Sequence, residues 1–410
     1  MASHSDAMSP ARTRAGRRKS APAVDFRLGH PSVLITTISS LLVLVGLLMI
    51  LSASSVTSFA NYGSSFTFFK KQLLWAAAGI VLFVIFAKLD YRKLKGWGYA
   101  AYLGAVVLLV VTLIPGVGVT VGGGTRWLSV GAFAFQPSEL AKLALVLLAA
   151  DVFSRKQERL LASVSHTLIP MVPALGVLAA LVVAQPDLGT TVLLGAIGIG
   201  VLFVAGAPMR CLLPLAATGC AAAVFGALSV SYRRARILAF LDPWADPLST
   251  GYHTIQSLIA LGSGGWFGVG LGASRQKWMY IPNAHTDFIF AILGEEMGLL
   301  GTIVVLGMFA FLCYLGITTA RNAPDRFGML VAAGITIWIS VQALVNMGAV
   351  TASLPITGVP LPLVSFGGTS LILGLAAMGV LTNIAHQGQK VMAARAAARS
   401  NRARSSPRAR

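Results

Sequence analysis

Long apolar runs dominate the hydrophobic pattern of this chain, and short polar stretches separate them. Runs of about 18 or more apolar residues predict helices that span a membrane, because lipid offers backbone groups no partner outside their own helix. We therefore predict an all-α polytopic membrane protein with about ten transmembrane helices. The predicted spans cover residues 33–54, 72–89, 98–115, 139–153, 166–184, 188–207, 211–230, 287–317, 327–349 and 367–387.

The composition supports the same class. Of the 410 residues, 56% are hydrophobic and only 11% are charged, and the mean hydropathy is +0.78. So few charges could not cover the surface of a soluble protein of this length. The three cysteines lie in apolar segments, and we predict that they are small buried residues rather than disulfide partners or metal ligands.

The net charge is +19, and much of it lies at the two ends of the chain. Both ends are also rich in Ala and Ser. Residues 1–30 and 388–410 are therefore predicted to be disordered basic arms on either side of a membrane domain at 31–387. Because no folded nucleic-acid-binding domain accompanies these arms, we predict attraction to anionic lipid and no nucleic-acid partner.

Cations in the short loops orient the predicted helices. The positive-inside rule assigns such loops to the cytoplasm, and ten spans return the chain to its starting side. We therefore predict a multi-pass protein of the cell inner (plasma) membrane with both termini cytoplasmic. The cations of these loops are Arg92, Lys93, Lys95, Arg155, Lys156, Arg159, Arg210, Arg321 and Arg326.

The outer face then receives longer loops at 116–138, 231–286 and 350–366 and a short turn at 185–187. The loop at 231–286, a large extracytoplasmic loop between the seventh and eighth helices, breaks the charge trend. Arginine forks on that face would suit an anionic ligand such as a phosphate. The alternative is that long loops cross the membrane regardless of charge. The cations of this loop are Arg233, Arg234, Arg236, Arg275 and Lys277.

Asp287 is the leading candidate for chemistry, because it stands at the outer mouth of the eighth span. Ionisable residues are costly at a membrane helix and mark functional sites. Its carboxylate could act as a general base; the alternative is that it only caps a helix end, where the dipole favours negative charge. Glu295 and Glu296 lie two turns deeper, and we predict that they orient loops or pair with buried cations.

Other polar positions admit both a binding role and a structural role. Glu139 and Lys142 lie three residues apart on one helix, so they can pair with each other or face a substrate. Arg126, beside Trp127, is either an interfacial anchor or a substrate ligand. His285 is either a proton carrier or a hydrogen-bonded loop residue. The glycines between 262 and 272 follow no strand, and they predict a tight re-entrant path rather than a nucleotide loop.

Short motifs on the outer loops resemble those of the SEDS family (shape, elongation, division and sporulation proteins), from about residue 31 to 387. The sequences at 283–287 and 293–296 are more similar to the division branch, FtsW, than to the elongation branch, RodA. His253 departs from a usual Gln, and 351–355 lacks a glycine often found there. The matching motifs are Arg126-Trp127, Gln136-Pro137-Ser138-Glu139 with Lys142, Gln185-Pro186-Asp187-Leu188-Gly189-Thr190, Asp242-Pro243, Gly251-Tyr252, Gln256-Ser257, Gly264-Gly265, His285-Thr286-Asp287-Phe288, Glu295-Glu296 and Ser365-Phe366-Gly367-Gly368.

The resemblance implies a peptidoglycan glycosyltransferase that polymerises lipid II into glycan strands with inversion during cell division. It assigns the general base to Asp287 and makes undecaprenyl pyrophosphate the leaving group. It also implies a class B penicillin-binding protein transpeptidase and other divisome proteins as partners, at the division septum. The predicted substrate-binding residues are Arg126, Arg233, Arg234, Arg236, Lys277, Glu139, Lys142, His285 and Ser365.

Three alternatives remain open: a lipid II flippase, a RodA-type elongation polymerase and a non-catalytic division scaffold. A flippase needs polar groups along a path across the whole membrane. Here the polar motifs cluster on one face, which favours the enzyme. The sequence identifies no cofactor, although a divalent cation, Mg²⁺ or Mn²⁺, bridging the pyrophosphate and Asp287 is compatible with the scheme. No metal site is predicted from protein ligands alone.

Overall fold

The computed structural model describes residues 30–121, 123–131, 133–156, 163–278, 280–282 and 284–405, and helices dominate these ranges. The helices are α1 (Pro31–Tyr62), α2 (Thr67–Lys88), α3 (Trp97–Leu113), α4 (Pro137–Ser154), α5 (Val164–Ala184), α6 (Leu188–Ala205), α7 (Met209–Leu228), α8 (Ser231–Leu241), α9 (Tyr252–Ser263), α10 (Ile289–Arg321), α11 (Arg326–Val350) and α12 (Gly368–Ser405).

Each of the ten predicted spans coincides with one long helix, which confirms the polytopic all-α class. Among the described residues, eight of these helices are long and apolar enough to cross a membrane. The other two are α3, with 17 residues, and α4, which carries Glu139, Lys142 and Asp151 in its 18 residues. The helices α8 and α9 are too short to span and belong to the outer loop.

Glycines allow the closest contacts between helices, because a missing side chain lets two backbones approach. A Cβ on Gly98 of α3 would lie 2.8 Å from the carbonyl oxygen of Leu147 on α4. A Cβ on Gly379 of α12 would lie 2.5 Å from the carbonyl oxygen of Phe83 on α2. Most residues of α4 and α11 are buried, so these helices form the centre. By contrast, α2 and α7 bury few residues and expose apolar faces that suit lipid.

The loops gather at the two ends of the helices as the charge pattern predicts. At one end, Arg92 Nε lies 2.9 Å from Asp325 Oδ2, which joins the loops before α3 and α11. At the other end, Arg126 Nε donates to the carbonyl oxygen of Gln185 at 3.1 Å, which joins two of the predicted outer loops. That the first end faces the cytoplasm stays a prediction.

Two outer loops contain regular structure that the sequence did not predict. The loop at 116–138 forms a three-stranded antiparallel sheet of β1 (Gly118–Val121), β2 (Gly124–Val130) and β3 (Phe133–Phe135), in that order. Its strands are short and glycine-flanked, so the apolar alternation that marks a strand has little length in which to appear. The loop at 231–286 contains α8 and α9, whose 11 and 12 residues are below the length of a span.

The prediction of a disordered tail from residue 388 is wrong as far as Ser405, because α12 continues to that residue. Alanine and arginine favour helix, and once nucleated by the buried part of α12 the helix extends through them. The predicted N-terminal arm at 1–30 lies outside the described residues except for His30. The cysteines are free, and only Cys211 is buried as predicted; Cys220 is exposed on the apolar face of α7.

Candidate active site

Asp287 lies in the turn that leads from the outer loop into α10. Its backbone oxygen accepts a hydrogen bond of 2.8 Å from Asn346 Nδ2 on α11. A Cβ on Gly358 would lie 3.6 Å from Asp287 Oδ2, so the carboxylate faces the outer segment at 351–367. The turn thus places the carboxylate where α10, α11 and this segment meet.

The sequence left two opposed influences on the Asp287 carboxyl, and burial is the larger one. Loss of solvent around the partly buried side chain raises its pKa to about 6. Arg236 and Arg126 lower this pKa, while the negative charge of Asp187 raises it further. A carboxyl of this pKa is mostly ionised at neutral pH and is more basic than an ordinary aspartate. Such a group is suited to accept a proton from a hydroxyl.

Arg126 is held beside this carboxylate by the turn at 185–187. It projects from β2 and donates to the backbone oxygens of Gln185, at 3.1 Å, and Pro186. Its Nη1 also lies 3.9 Å from Asp187 Oδ2. Asp187 caps α6 by accepting from Thr190 N at 3.1 Å and Thr190 Oγ1 at 2.9 Å. The guanidinium therefore has a fixed position between loops and retains charge that can act on Asp287.

Glu139 and Lys142 form a buried ion pair on α4, with Lys142 Nζ 2.7 Å from Glu139 Oε1. Their side chains are 2% and 1% exposed. Lys142 Nζ also donates to Gln342 Oε1 on α11 at 2.8 Å. Glu139 Oε2 is buried with no hydrogen-bond partner among the described residues. The pair joins two helices and leaves one carboxylate oxygen for another donor.

His285 and Ser365 lie near Asp287 but have local partners. The imidazole of His285 packs between Phe68 and Phe366, with ring centroids 4.7 Å and 5.5 Å away. Burial lowers its pKa to about 4, so the ring is neutral at physiological pH and is a weak base. Ser365 Oγ accepts from Leu361 N at 2.8 Å and closes a turn of the outer segment.

The cations of α8 differ in what they contact. Arg236 is close enough to Asp287 to lower its pKa, and it adds to burial in lowering the pKa of His253. Arg233 Nη1 donates to the backbone oxygen of Gly226 at the end of α7, at 3.2 Å. Arg234 is exposed. Of these three residues, Arg236 is therefore the one that the fold brings to the carboxylate.

Lys277 belongs to a second polar cluster, which is deeper along α10. Its Nζ lies 3.8 Å from Glu296 Oε1 and 3.4 Å from Ser52 Oγ, and it donates to the backbone oxygen of Gly272. Glu295 accepts from Ser274 Oγ and from the backbone N of Arg275 at 2.9 Å. The expected pairing of these glutamates with loops and a buried cation is confirmed. Because Lys277 is buried against Glu296 whereas Arg126 is partly exposed, Lys277 is less suited to bind a pyrophosphate.

α10 is broken at Gly298, whose φ of 68° and ψ of −167° are not helical. The glycine-rich segment 264–272 supplies the missing backbone partners. Val269 N and Gly270 N donate to the oxygens of Glu295 and Glu296 at 3.0 Å and 3.1 Å. Leu299 N donates to the oxygen of Gly265 at 2.9 Å. This re-entrant path brings backbone against backbone, which membrane helices need wherever they are interrupted.

An apolar groove of about 440 Å³ opens beside this break, between α9, α10 and α11. It begins at Phe290, three residues after Asp287, and passes Gly294 and Gly298. Leu344 and Met347 of α11 form its other wall. The groove therefore connects the neighbourhood of the carboxylate to an apolar surface along the helices.

No group of three or more His, Cys, Asp or Glu side chains in the described ranges has the arrangement of a metal site. A cation that bridges a bound pyrophosphate to Asp287 would draw its other ligands from the phosphates. It therefore stays a prediction.

Sequence reasoning missed two residues that the structure places at this site, Gln342 and Asn346. Both are buried on α11 and donate to backbone oxygens of the outer segment. They lie in an apolar span, where single amides look like ordinary tolerated residues. The available signal was their spacing: residues four apart share one helix face, and Trp338 precedes them by the same interval.

Known proteins match almost the whole chain. The FtsW/RodA/SpoVE family model, described as "Cell cycle protein", matches residues 32–390. The chain is 42% identical to "Stage V sporulation protein E" of Bacillus subtilis (strain 168) over 357 residues, which cover 86% of this chain and 96% of that protein. It is 41% identical to "Probable peptidoglycan glycosyltransferase FtsW" of Mycobacterium tuberculosis (strain ATCC 25618 / H37Rv) over 387 residues, covering 94% of this chain and 72% of the relative.

The fold is also similar to a chain solved under the description "Structural coordination of polymerization and crosslinking by a peptidoglycan synthase complex". The TM-score is 0.70 at 28% sequence identity, and the match covers 87% of this chain and 97% of that one. Fold and site together define a polytopic membrane protein with a buried ionisable site at one end of its helices. The chain belongs to the FtsW/RodA/SpoVE family of cell cycle proteins, which is the SEDS family.

Proposed function

We propose that Asp287 is the general base with which this peptidoglycan glycosyltransferase extends a glycan strand from lipid II. The enzyme class rests on curated relatives named as probable peptidoglycan glycosyltransferases at about 40% identity. The role of Asp287 rests on one observation: a partly buried carboxyl with a pKa raised to about 6 lies beside two arginines at the mouth of α10. This combination serves a reaction that removes a proton and releases an anion.

In the proposed reaction, a sugar hydroxyl of one lipid II attacks the anomeric carbon of another. A new carbon–oxygen bond forms as the bond from that carbon to the pyrophosphate breaks. Asp287 takes the hydroxyl proton, and undecaprenyl pyrophosphate leaves with the bonding electrons. A single displacement inverts the anomeric centre, so an α-linked donor gives a β-linked product.

The arginines would act on the leaving group. Arg126 and Arg236 both influence the charge of Asp287, so an anion bound beside that carboxylate lies within their reach. Charge that grows on the pyrophosphate during bond cleavage makes fixed cations most valuable in the transition state. Arg233 and Arg234, which lie on α8 with Arg236, would attract the pyrophosphate at longer range. The apolar groove at Phe290 meets the need of a polyprenyl tail for an apolar path.

The main alternative, a lipid II flippase, is less well supported by the position of these groups. The arginines and Asp287 lie together at one end of the helices. In the second cluster, Glu296 already contacts Lys277 and Ser52 within the protein. Transport needs groups that alternate between the two sides. The elongation-type polymerase differs from the proposal in cellular role and the non-catalytic scaffold in lacking the activity, but neither requires a different fold.

We further propose a class B penicillin-binding protein as the partner that crosslinks the product. The structural relative described as a peptidoglycan synthase complex joins polymerization and crosslinking in its description. Other divisome proteins, location at the septum and cytoplasmic termini complete the proposal. The cell cycle family supports a division role.

The decisive experiment compares Asp287→Asn with the matched control Asp246→Asn, an exposed aspartate of the same outer loop. Purified full-length protein is given fluorescent lipid II, with and without the transpeptidase partner, and glycan length is read on gels. Loss of a general base costs about a hundredfold to ten-thousandfold in rate, so Asp287→Asn should make almost no glycan. The control should match the wild type. Near-normal synthesis by Asp287→Asn would refute the assignment.

The same variants separate the flippase from the polymerase. In vesicles, translocation of labelled lipid II is measured by quenching with an impermeant reductant. A polymerase with Asp287 as base should show the same translocation rate, or none, in the wild type and in Asp287→Asn. Translocation that is fast in the wild type and absent in the variant, without glycan synthesis, would support the flippase.

A further inference from the structure

Three polar side chains, Trp338, Gln342 and Asn346, lie on one face of α11 at intervals of four residues. All three are buried, with 1% or 2% of their surface exposed. An interval of four places them one above another along the helix. Amide groups are costly to bury unless they are hydrogen-bonded, so their contacts indicate why they are there.

The orientation of the Gln342 amide is fixed by two donors. Lys142 Nζ and the indole Nε1 of Trp338 both donate to Gln342 Oε1, each at 2.8 Å. An ammonium and an indole N–H can only donate, so the amide oxygen must face them. Its nitrogen is thereby directed at the backbone oxygen of Pro360, to which it donates at 2.9 Å. The buried ion pair of α4 thus sets which atom Gln342 offers to the outer segment.

The orientation of the Asn346 amide is fixed by two acceptors rather than by donors. Its Nδ2 donates to the backbone oxygens of Val359 and Asp287, each at 2.8 Å. Carbonyl oxygens only accept, so a flipped amide would place oxygen against oxygen twice. Asn346 Oδ1 is buried with no hydrogen-bond partner among the described residues. Because an unpaired acceptor is costly, the two donated bonds explain best why an amide occupies this position.

We propose that Asn346, with Gln342 holding the adjacent Pro360, is a positioning residue that fixes Asp287 against the outer segment at 351–367. The inference rests on the proposed function of Asp287. One side chain joins the turn before α10 to a segment 72 residues further on, since Val359 and Asp287 share the same donor. A displacement of about 1 Å at a reacting group can lower a rate about a hundredfold. Two hydrogen bonds from one side chain to two backbone oxygens are suited to prevent such a displacement.

The test compares Asn346→Ala with Asn383→Ala. Asn383 is a matched control because it is also buried and its Nδ2 donates to a backbone oxygen, that of Ala87, at 2.7 Å, but at the opposite end of the helices. Lipid II polymerisation is measured in nanodiscs with the transpeptidase partner, together with thermal unfolding. We expect Asn346→Ala to lower kcat at least about tenfold with KM changed by less than about threefold. Asn383→Ala should keep kcat and lower the unfolding temperature at least as much, because Asn383 Oδ1 also accepts from Tyr91 N and Gln387 Nε2.

A pH profile gives a readout that lost stability alone would not change. Asp287 is faced by Arg126 from β2, Arg236 from α8 and Asp187 from the start of α6. If the turn loosens, water reaches the carboxylate and its pKa falls. The acid limb of kcat, expected near pH 6 in the wild type, should then move to lower pH in Asn346→Ala. It should not move in Asn383→Ala.

Two isosteric variants keep the inference testable if Asn346→Ala does not fold. Asn346→Asp places a carboxylate oxygen against two carbonyl oxygens and should lose activity as the Ala variant does. Gln342→Glu still accepts from Lys142 and Trp338 but no longer donates to Pro360, so it should fold and lower kcat by a smaller factor.

Asp287→Asn in the same assay separates the two hypotheses. If Asp287→Asn is active, the proposed function fails and this inference fails with it. If Asp287→Asn is inactive while Asn346→Ala, or Gln342→Glu in its place, keeps the kcat and the acid limb of Asn383→Ala, the proposed function stands and the positioning role is refuted.

Discussion

The carboxylate of Asp287 is partly buried, and this environment makes its ionised form unfavourable for folding. Folding raises the pKa of Asp287 from 3.8 to about 6, so the folded protein holds its proton more tightly than the unfolded chain does. About 1.4 kcal/mol corresponds to each pKa unit, so the ionised group opposes folding by about 3 kcal/mol above pH 6. This cost decreases as the pH falls from about 6 and vanishes below about 3.8, where both states are protonated.

Asp287→Asn should therefore stabilise the protein while it abolishes synthesis. We expect a higher unfolding temperature than the wild type at pH 8 and a smaller difference at pH 5, because the wild type regains its proton there. Differential scanning fluorimetry in detergent measures both. Asp246→Asn, which removes an exposed carboxylate whose pKa is lowered by hydrogen bonds from Thr250, should give no stabilisation at either pH. A lower unfolding temperature for Asp287→Asn at pH 8 would contradict the burial argument.

The outer cations should rank by their distance from this carboxylate. We expect Arg126→Ala and Arg236→Ala to lower turnover most, Arg233→Ala less and the exposed Arg234→Ala least. Turnover is measured in detergent without anionic lipid, so that headgroup attraction does not contribute. Lys277→Ala should instead lower the unfolding temperature, because it leaves Glu296 buried without its cation. Equal turnover in all four arginine variants would contradict this ranking and would favour contacts with lipid headgroups as the role of these arginines.

At this scale the sequence identified the proposed base but not the residues that hold it in place. Asp287 stood out because a charge at the mouth of an apolar span is rare, and Arg126 because it lies beside Trp127 in a motif that resembles the family. Asn346 did not, because its role comes from two backbone oxygens, one of which lies 59 residues earlier in the chain. A pattern along one helix contains no information about a partner that only the fold brings near.

At the scale of elements, the break in α10 depends on the segment at 264–272. Gly268 has a φ of 81°, and a Cβ there would lie 2.1 Å from the backbone oxygen of Glu296. Gly272 has a similar φ of 80° but nothing within 4 Å of such a Cβ. The two positions therefore carry the same backbone strain and differ in the space around them.

This difference gives a matched pair of variants. Gly272→Ala should destabilise the protein only by the cost of an unfavourable φ, about 1 kcal/mol or somewhat more. Gly268→Ala adds a collision of backbone with side chain, so it should lower the unfolding temperature several degrees further and reduce the yield of folded protein. Equal unfolding temperatures would mean that the segment does not pack against Glu296 as described.

The number and position of the long helices could be predicted because apolar length alone determines them in lipid. The break could not, since Gly298 is one of several glycines in an apolar run. The helix is interrupted where the backbone groups of Gly265 and Val269 form hydrogen bonds with the backbone of α10. The sheet of β1 to β3 was missed for a related reason: its strands have only four, seven and three residues.

At the scale of the whole molecule, the arrangement of loops at two ends gives a topology that can be tested. In a variant without Cys211, Cys220 and Cys313, single cysteines are placed at Ser249, which is exposed in the outer loop, and at Ser400 in α12. An impermeant thiol reagent added to intact cells should label position 249 and not position 400. Permeabilised cells should label both, as a control. Labelling of position 400 alone in intact cells would mean that the topology is the reverse of the predicted one.

The interrupted α10 also has a consequence for how the protein is made. A helix with a break in the membrane has backbone groups that lipid cannot satisfy. The residues that satisfy them, 264–272, precede α10 in the chain, so the ribosome delivers the partner before the helix that needs it. The order of synthesis therefore protects the break during insertion. A split gene divided between residues 272 and 289, with the second piece expressed first, would remove that protection and expose α10 to membrane quality control.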